Sequence, residues 1–167
     1  MTRAEKINSL IENCVERMEL EERDAHREIA RYAVELGYTP KQVVRSGNKS
    51  DDLNFSKSKV SRTLLQMRVT NGELKLKLSF FAATAKSEYF KERIKEVVEG
   101  KYTGCYGCGK CKGSPKGYVY IYPDGKTGFR CGGELIRLWG INMNGHVDEV
   151  KTMMKEQDKY WNEQLAN

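Results

Sequence analysis

The sequence predicts an α+β fold, with an antiparallel sheet of about three strands packed by helices, then a cysteine-held β-hairpin and a final helix. Three observations predict it. Apolar residues recur with a 3.6-residue period near both ends of the chain. An Asn71-Gly72 pair sits between two apolar-alternating runs at the centre. A cysteine-rich stretch follows, containing a Pro123-Asp124-Gly125 turn.

The chain has 167 residues and a formal charge of +6. That length suits one domain or one domain with an appendage. The expected division is a helical and sheet part over 1–100 and a metal-binding hairpin with a C-terminal helix over 101–167, packed on the first. No apolar run approaches a membrane span; 78–85 is the longest and is far too short. The opening Met-Thr-Arg-Ala-Glu-Lys leads directly into a polar helix pattern without the character of a secretory signal. A cytoplasmic location with reduced cysteines is therefore expected, rather than a secreted disulfide scaffold.

In the first helix, Ile7, Leu10, Ile11, Cys14, Val15 and Met18 form one stripe, and Cys14 reads as a small core hydrophobe. The second helix should run from about Glu21 to Leu36, burying Ile29, Ala30, Ala33 and Leu36 and stopping at Gly37. His26, one turn before that stripe, reads as a packed or capping residue. Ala33, Gly37 and Val43 are spaced as in a helix-turn-helix, but Pro40 and Val43-Val44 favour a turn and an extended segment, with 46–50 as a loop.

Folding the chain about Asn71-Gly72 pairs Val69 with Leu74, Met67 with Leu76, Leu65 with Leu78 and Thr63 with Phe80 on one face. Leu53 to Ser56 adds a third strand. The opposite face pairs Arg68 with Lys75 and Gln66 with Lys77, and carries no aromatic residue for base stacking. Asp51-Asp52 reads as the end of a loop rather than a cation site. A third helix is expected over about Glu88 to Glu99, with Ser87 as N-cap and Phe90, Ile94 and Val97 inward. The second hairpin joins Tyr118–Tyr122 to Lys126–Cys131, and the last helix runs from about His146 to Gln164 with Val147, Val150, Met154 and Trp161 on one face.

Charge is uneven. Residues 3–35 carry a net −3 and residues 41–68 a net +5. A basic middle suits an anionic partner, and Arg62, Arg68, Lys75 and Lys77 are its candidate surface.

The firmest chemical signal is Cys105-Tyr-Gly-Cys108-Gly-Lys-Cys111 with Cys131 beyond the hairpin. Four thiolates suit zinc or an iron–sulfur centre. Glycines beside them free backbone amides to relieve the sulfur charge. The arrangement resembles zinc-ribbon and treble-clef modules, although those carry two Cys-x-x-Cys pairs and this chain has a triple and a single. Cys105, Cys108, Gly109 and Cys111 also resemble the ferredoxin binding loop, but no Cys-Pro follows and no second cluster motif exists. The hairpin context favours Zn2+, with an iron–sulfur cluster as the alternative. His146 is a further possible ligand, read chiefly as a helix N-terminal residue. A closed four-thiolate shell leaves no position for a reactive water.

No catalytic triad, nucleophile elbow, phosphate-cradling loop or His-Glu-x-x-His occurs. Asn54-Phe55-Ser56, Leu76 to Phe81, Tyr89-Phe90-Lys91-Glu92 and Cys105 to Gly133 resemble a set of small, uncharacterised bacterial proteins. That resemblance implies a fold and a metal, and no settled activity. The expectation is a non-enzymatic binding module engaging a protein or an anionic partner. Nucleic-acid binding through 41–77 and iron–sulfur redox chemistry are the alternatives, and no membrane partner is expected.

Overall fold

A computed structural model describes residues 1–45, 48–101, 104–111, 114 and 116–166. The α+β class holds. Helices α1 (Arg3–Val15) and α2 (Arg23–Glu35) precede strands β1 (Thr39–Arg45), β2 (Asn48–Lys57), β3 (Arg62–Thr70) and β4 (Glu73–Leu78). Helix α3 (Glu88–Val98), the hairpin β5 (Gly117–Ile121) and β6 (Thr127–Cys131), strand β7 (Ile136–Leu138) and helix α4 (Val147–Ala166) follow.

The principal sheet has five strands rather than about three, in the order β1-β2-β3-β4-β7, all antiparallel. The added strands lie at its two edges. Asn71 (φ 53°) and Gly72 (φ 77°) make the left-handed turn that the β3–β4 hairpin requires. Val69–Leu74, Met67–Leu76 and Leu65–Leu78 pair as the alternation predicts. Thr63 does not pair with Phe80: β4 ends at Leu78, and Phe80 turns into the core, its ring 5.6 Å from Phe90 and 5.4 Å from Tyr118.

Leu53, Phe55, Leu65, Met67, Leu76 and Leu78 are buried in a core that also takes Ile11, Cys14 and Val15 of α1, Ile29, Ala30 and Ala33 of α2, and Val150, Met153 and Met154 of α4. Cys14 is thus a core residue, as its position in the stripe implies. Strand β7 completes the layer with Ile136 and Leu138. Helix α3 buries Phe90, Ile94 and Val98; Val97, expected inside, is only partly covered. Ser87 adopts an extended N-cap backbone, but its hydroxyl donates to Glu149 across to α4 (3.0 Å) instead of capping α3.

Helix α2 stops at Gly37 and the chain enters β1 within two residues, so no recognition helix follows and the helix-turn-helix alternative is excluded. Asn48 to Ser50 belong to β2 rather than a loop, while Ser46 and Gly47 lie outside the described residues. Among the described residues no helix is long and apolar enough to cross a membrane.

His26 is buried, and its Nδ1–H donates to the Glu22 carbonyl (2.7 Å). Burial lowers its pKa below the ordinary value. The unfolded chain therefore takes up a proton, near pH 6.5, that the folded chain refuses, and stability falls as pH drops through that value. Thermal midpoints should decline between about pH 7.5 and about pH 6. His26→Asn should flatten that slope, and an unchanged slope in the variant would contradict this assignment.

Candidate metal centre

Tyr118 fixes the β5–β6 hairpin to the rest of the fold. Its hydroxyl is fully buried, accepts from the Phe80 N–H (3.3 Å) and donates to the Glu134 carbonyl (3.0 Å). Burial pushes the phenol pKa well above its usual value, so it stays a neutral donor. Within β5 the tyrosines face in, while Val119 and Ile121 are 53% and 69% exposed. The hairpin's packed face is therefore the tyrosine face.

Strand β6 delivers Cys131, 2% exposed, to the end of the hairpin opposite Gly117. Gly132 follows with its N–H on the Lys116 carbonyl (2.9 Å) and its Cα against the Phe81 ring; a Cβ there would come within 2.7 Å of that ring. The Gly133 N–H then turns back onto Cys131 Sγ at 3.4 Å.

The loop bearing the other cysteines makes the same contact. Gly107, at φ 67°, points its N–H at Cys105 Sγ, 3.3 Å away. Tyr106 anchors this loop to the chain beyond Cys131. Its hydroxyl donates to the Glu134 carboxylate, and the Arg130 guanidinium lies 5.5 Å over its ring while also binding Glu134 (3.1 Å). Partial burial, then the bond to Glu134 and its charge, push the Tyr106 phenol up to about 12. Gly104 bridges to Arg130 in parallel pairing. The two cysteine-bearing segments are thus fastened side by side.

Cys108, Cys111 and Cys131 line one cavity of about 390 Å³, together with Lys59, Arg62, Lys110 and Lys116. Cys105 is exposed and does not line that cavity. Among the described residues no three Cys, His, Asp or Glu side chains are grouped closely enough to hold a metal ion, and no metal-held or disulfide-held hairpin is seen. The hairpin is held by Tyr118, Tyr106 and their partners. The candidate donors are four sulfurs, of which those of Cys105 and Cys131 accept backbone N–H bonds, and Cys108, Cys111 and Cys131 share their cavity with Lys59, Arg62, Lys110 and Lys116. His146 does not line this cavity. Its Nδ1 meets Glu149 (3.3 Å) and its ring packs near Tyr89 and Phe90.

The candidate anionic surface divides in two. Arg68, Lys75 and Lys77 line a groove of about 380 Å³ on the open face of the sheet, whereas Arg62 lines the cysteine cavity, its guanidinium 6.0 Å from the Trp161 ring. β7 adds Arg137, directly opposite Lys77, which sequence reasoning missed. The only local signal for it is one polar residue between Ile136 and Leu138. Asp52 is not at a loop end. It lies within β2, 5% exposed, with Oδ2 3.5 Å from Arg68 Nε. It relieves the opposition of Arg68 and Lys75 across β3 and β4.

Comparisons of this chain with known protein families, with curated proteins and with solved structures return no match.

Proposed function

We propose that Cys105, Cys108, Cys111 and Cys131 hold a structural Zn2+, and that the protein is a non-enzymatic module whose open sheet face engages an anionic partner. The observation that carries this reading is the pair of N–H···S bonds at Cys105 and Cys131, on segments that Tyr106 binds together. Bound zinc would draw the loop and the hairpin end into one unit. With four thiolates in the shell, no coordination position is left for water, which disfavours hydrolysis.

The partner surface is supported by charge. Lys75, Lys77 and Arg137 have no carboxylate partner among the described residues, and Lys77 and Arg137 are exposed. A Lys75→Glu, Lys77→Glu double variant should elute from a heparin resin at markedly lower salt than wild type, with unchanged metal content. Equal elution would refute the surface assignment.

The spacing of Cys105, Cys108 and Cys111 favours one second reading, an iron–sulfur cluster with a redox role. Protein purified without oxygen should be colourless and contain one zinc per chain. A brown protein with stoichiometric iron and acid-labile sulfide would establish the second reading instead.

A further inference from the structure

The cysteine cavity and the sheet groove are joined. Between them lies a third cavity of about 250 Å³, which shares Arg62, Lys110 and Gly133 with the first and Gln66 and Leu135 with the second. Strand β3 runs along the whole track. From Arg62 to Arg68 its six-residue rise is about 20 Å.

Among the described residues, carboxylates offset little of the positive charge along this track, and the sulfurs of Cys108, Cys111 and Cys131 share the cavity at its cysteine end. At the cysteine end stand Lys59, Arg62, Lys110 and Lys116; none has a carboxylate partner among the described residues, and Lys110 spends one donor on the Ser61 carbonyl (3.1 Å). At the sheet end stand Lys75, Lys77 and Arg137, equally unpaired, and Arg68 with Asp52. The other acid on the track, Glu134, is engaged by Arg130 and Tyr106. Elsewhere, cations such as Arg27, Lys57, Lys126 and Lys151 sit against carboxylates.

A track of this length, with cations along both ends, matches a repeating anion better than a single phosphate. The two ends differ in a second respect. Half-buried Phe81 and Tyr160 line the cysteine-end cavity, their rings 5.3 Å apart, while the sheet end is lined by no aromatic residue. Aromatic rings accept unstacked bases, which a duplex does not present.

We propose that this track binds single-stranded nucleic acid, with the sugar–phosphate backbone along the cations of β3, β4 and β7 and one end of the strand entering the cavity beside the cysteines. The proposal rests on the reading of the open sheet face as an anion-binding surface. It gives the two halves of the candidate basic surface one ligand.

The test is fluorescence anisotropy with the full-length, metal-loaded protein. The probes are a labelled thymidine strand of about 12 nucleotides, within the range single-strand-binding folds cover, and a duplex of the same length. The single strand should bind at least about tenfold more tightly than the duplex. If about six phosphates are neutralised, affinity should fall roughly 300-fold between about 50 mM and about 200 mM salt. Lys77→Glu with Arg137→Glu at one end, and Lys59→Glu with Lys116→Glu at the other, should each weaken binding at least tenfold and reduce the salt slope. Lys126→Glu, on the hairpin turn beside Asp124, should leave binding unchanged. Equal or tighter duplex binding overturns the proposal, as does an equal loss in Lys126→Glu. Heparin retention that depends on Lys75 and Lys77, without preference for the single strand, overturns the nucleic-acid assignment alone. Absence of heparin retention overturns the anion-binding surface with it.

Discussion

Cys108→Ser and Cys131→Ser should each lose bound metal, while Cys14→Ser keeps it. Cys108 and Cys131 face one cavity from two separate segments, and Cys14 is enclosed between helices and sheet. Replacing a thiolate by a hydroxyl removes a soft anionic ligand that zinc prefers. Disturbing residues behind the ligands of a metal site already costs about 10- to 100-fold in affinity, so loss of a ligand itself should exceed about 100-fold. Protease cleavage between Gly104 and Gly133 should rise in the same two variants, because structural-site binding energy is folding energy. Cys105→Ser should behave likewise, although Cys105 lies outside the cavity lining, since its sulfur already accepts an N–H bond. Elemental analysis of the purified variants decides the matter. Wild-type zinc content in either Cys108→Ser or Cys131→Ser would refute the site.

Asp158→Ala should destabilise the fold by about 3–5 kcal/mol, the usual cost of breaking a buried ion pair from one side. Asp158, on α4, accepts from Lys57 Nζ at the end of β2 (2.8 Å), from the Tyr38 hydroxyl between α2 and β1 (2.9 Å) and from Asn162 (3.0 Å). The side chains of Lys57 and Asp158 are only 16% and 14% exposed. Without the carboxylate, Lys57 retains the Leu36 carbonyl (2.9 Å) and the Tyr38 ring face (5.2 Å), too little for a buried ammonium. In the wild-type protein burial, and then the Asp158 charge and hydrogen bond, hold the Tyr38 phenol far above its ordinary pKa, so it stays a neutral donor to Asp158. For a chain of this length the thermal midpoint should drop by about 10 °C. Asp158→Ala combined with Lys57→Met should recover much of that loss. A drop below about 2 °C in the single variant would show that the pair holds little of the structure.

Local signals in the sequence carried the central hairpin. Its turn needs two left-handed residues, and Asn-Gly supplies them, so the register of β3 and β4 was legible pair by pair down to Leu78. The sheet edges were not. Pro40 reads as a break, yet β1 is an edge strand, where a missing N–H costs little. Strand β7 spans three residues, too few for any period, and it pairs with β4 through contacts remote in sequence. Of the four candidate cysteines, Cys108, Cys111 and Cys131 line one cavity and Cys105 does not, and what fastens their two segments together was not legible in the sequence. Tyr106, Arg130 and Glu134 have no motif; only the folded chain brings them together. The separation of Arg62 from Arg68, Lys75 and Lys77 was hidden for the same reason, and a shift of register between Phe55 and Ser56 of β2 further disturbs the alternation there.

The pairing of β4 with β7 bears on how the protein is made. Leu76 and Leu78 meet Leu138 and Ile136, so the outer edge of β4 has no strand beside it until β7, 58 residues beyond Leu78, has followed it out of the ribosome. At about 5–20 residues per second that interval is roughly 3–12 s. During it, β4 offers an open row of peptide groups to any other nascent chain. Lys75 and Lys77 alternate with the leucines along that row, and such charges discourage edge-to-edge association. The lysines that give the finished molecule its basic face would then also guard the unfinished one, and changing both to neutral residues should be felt first as aggregation during synthesis.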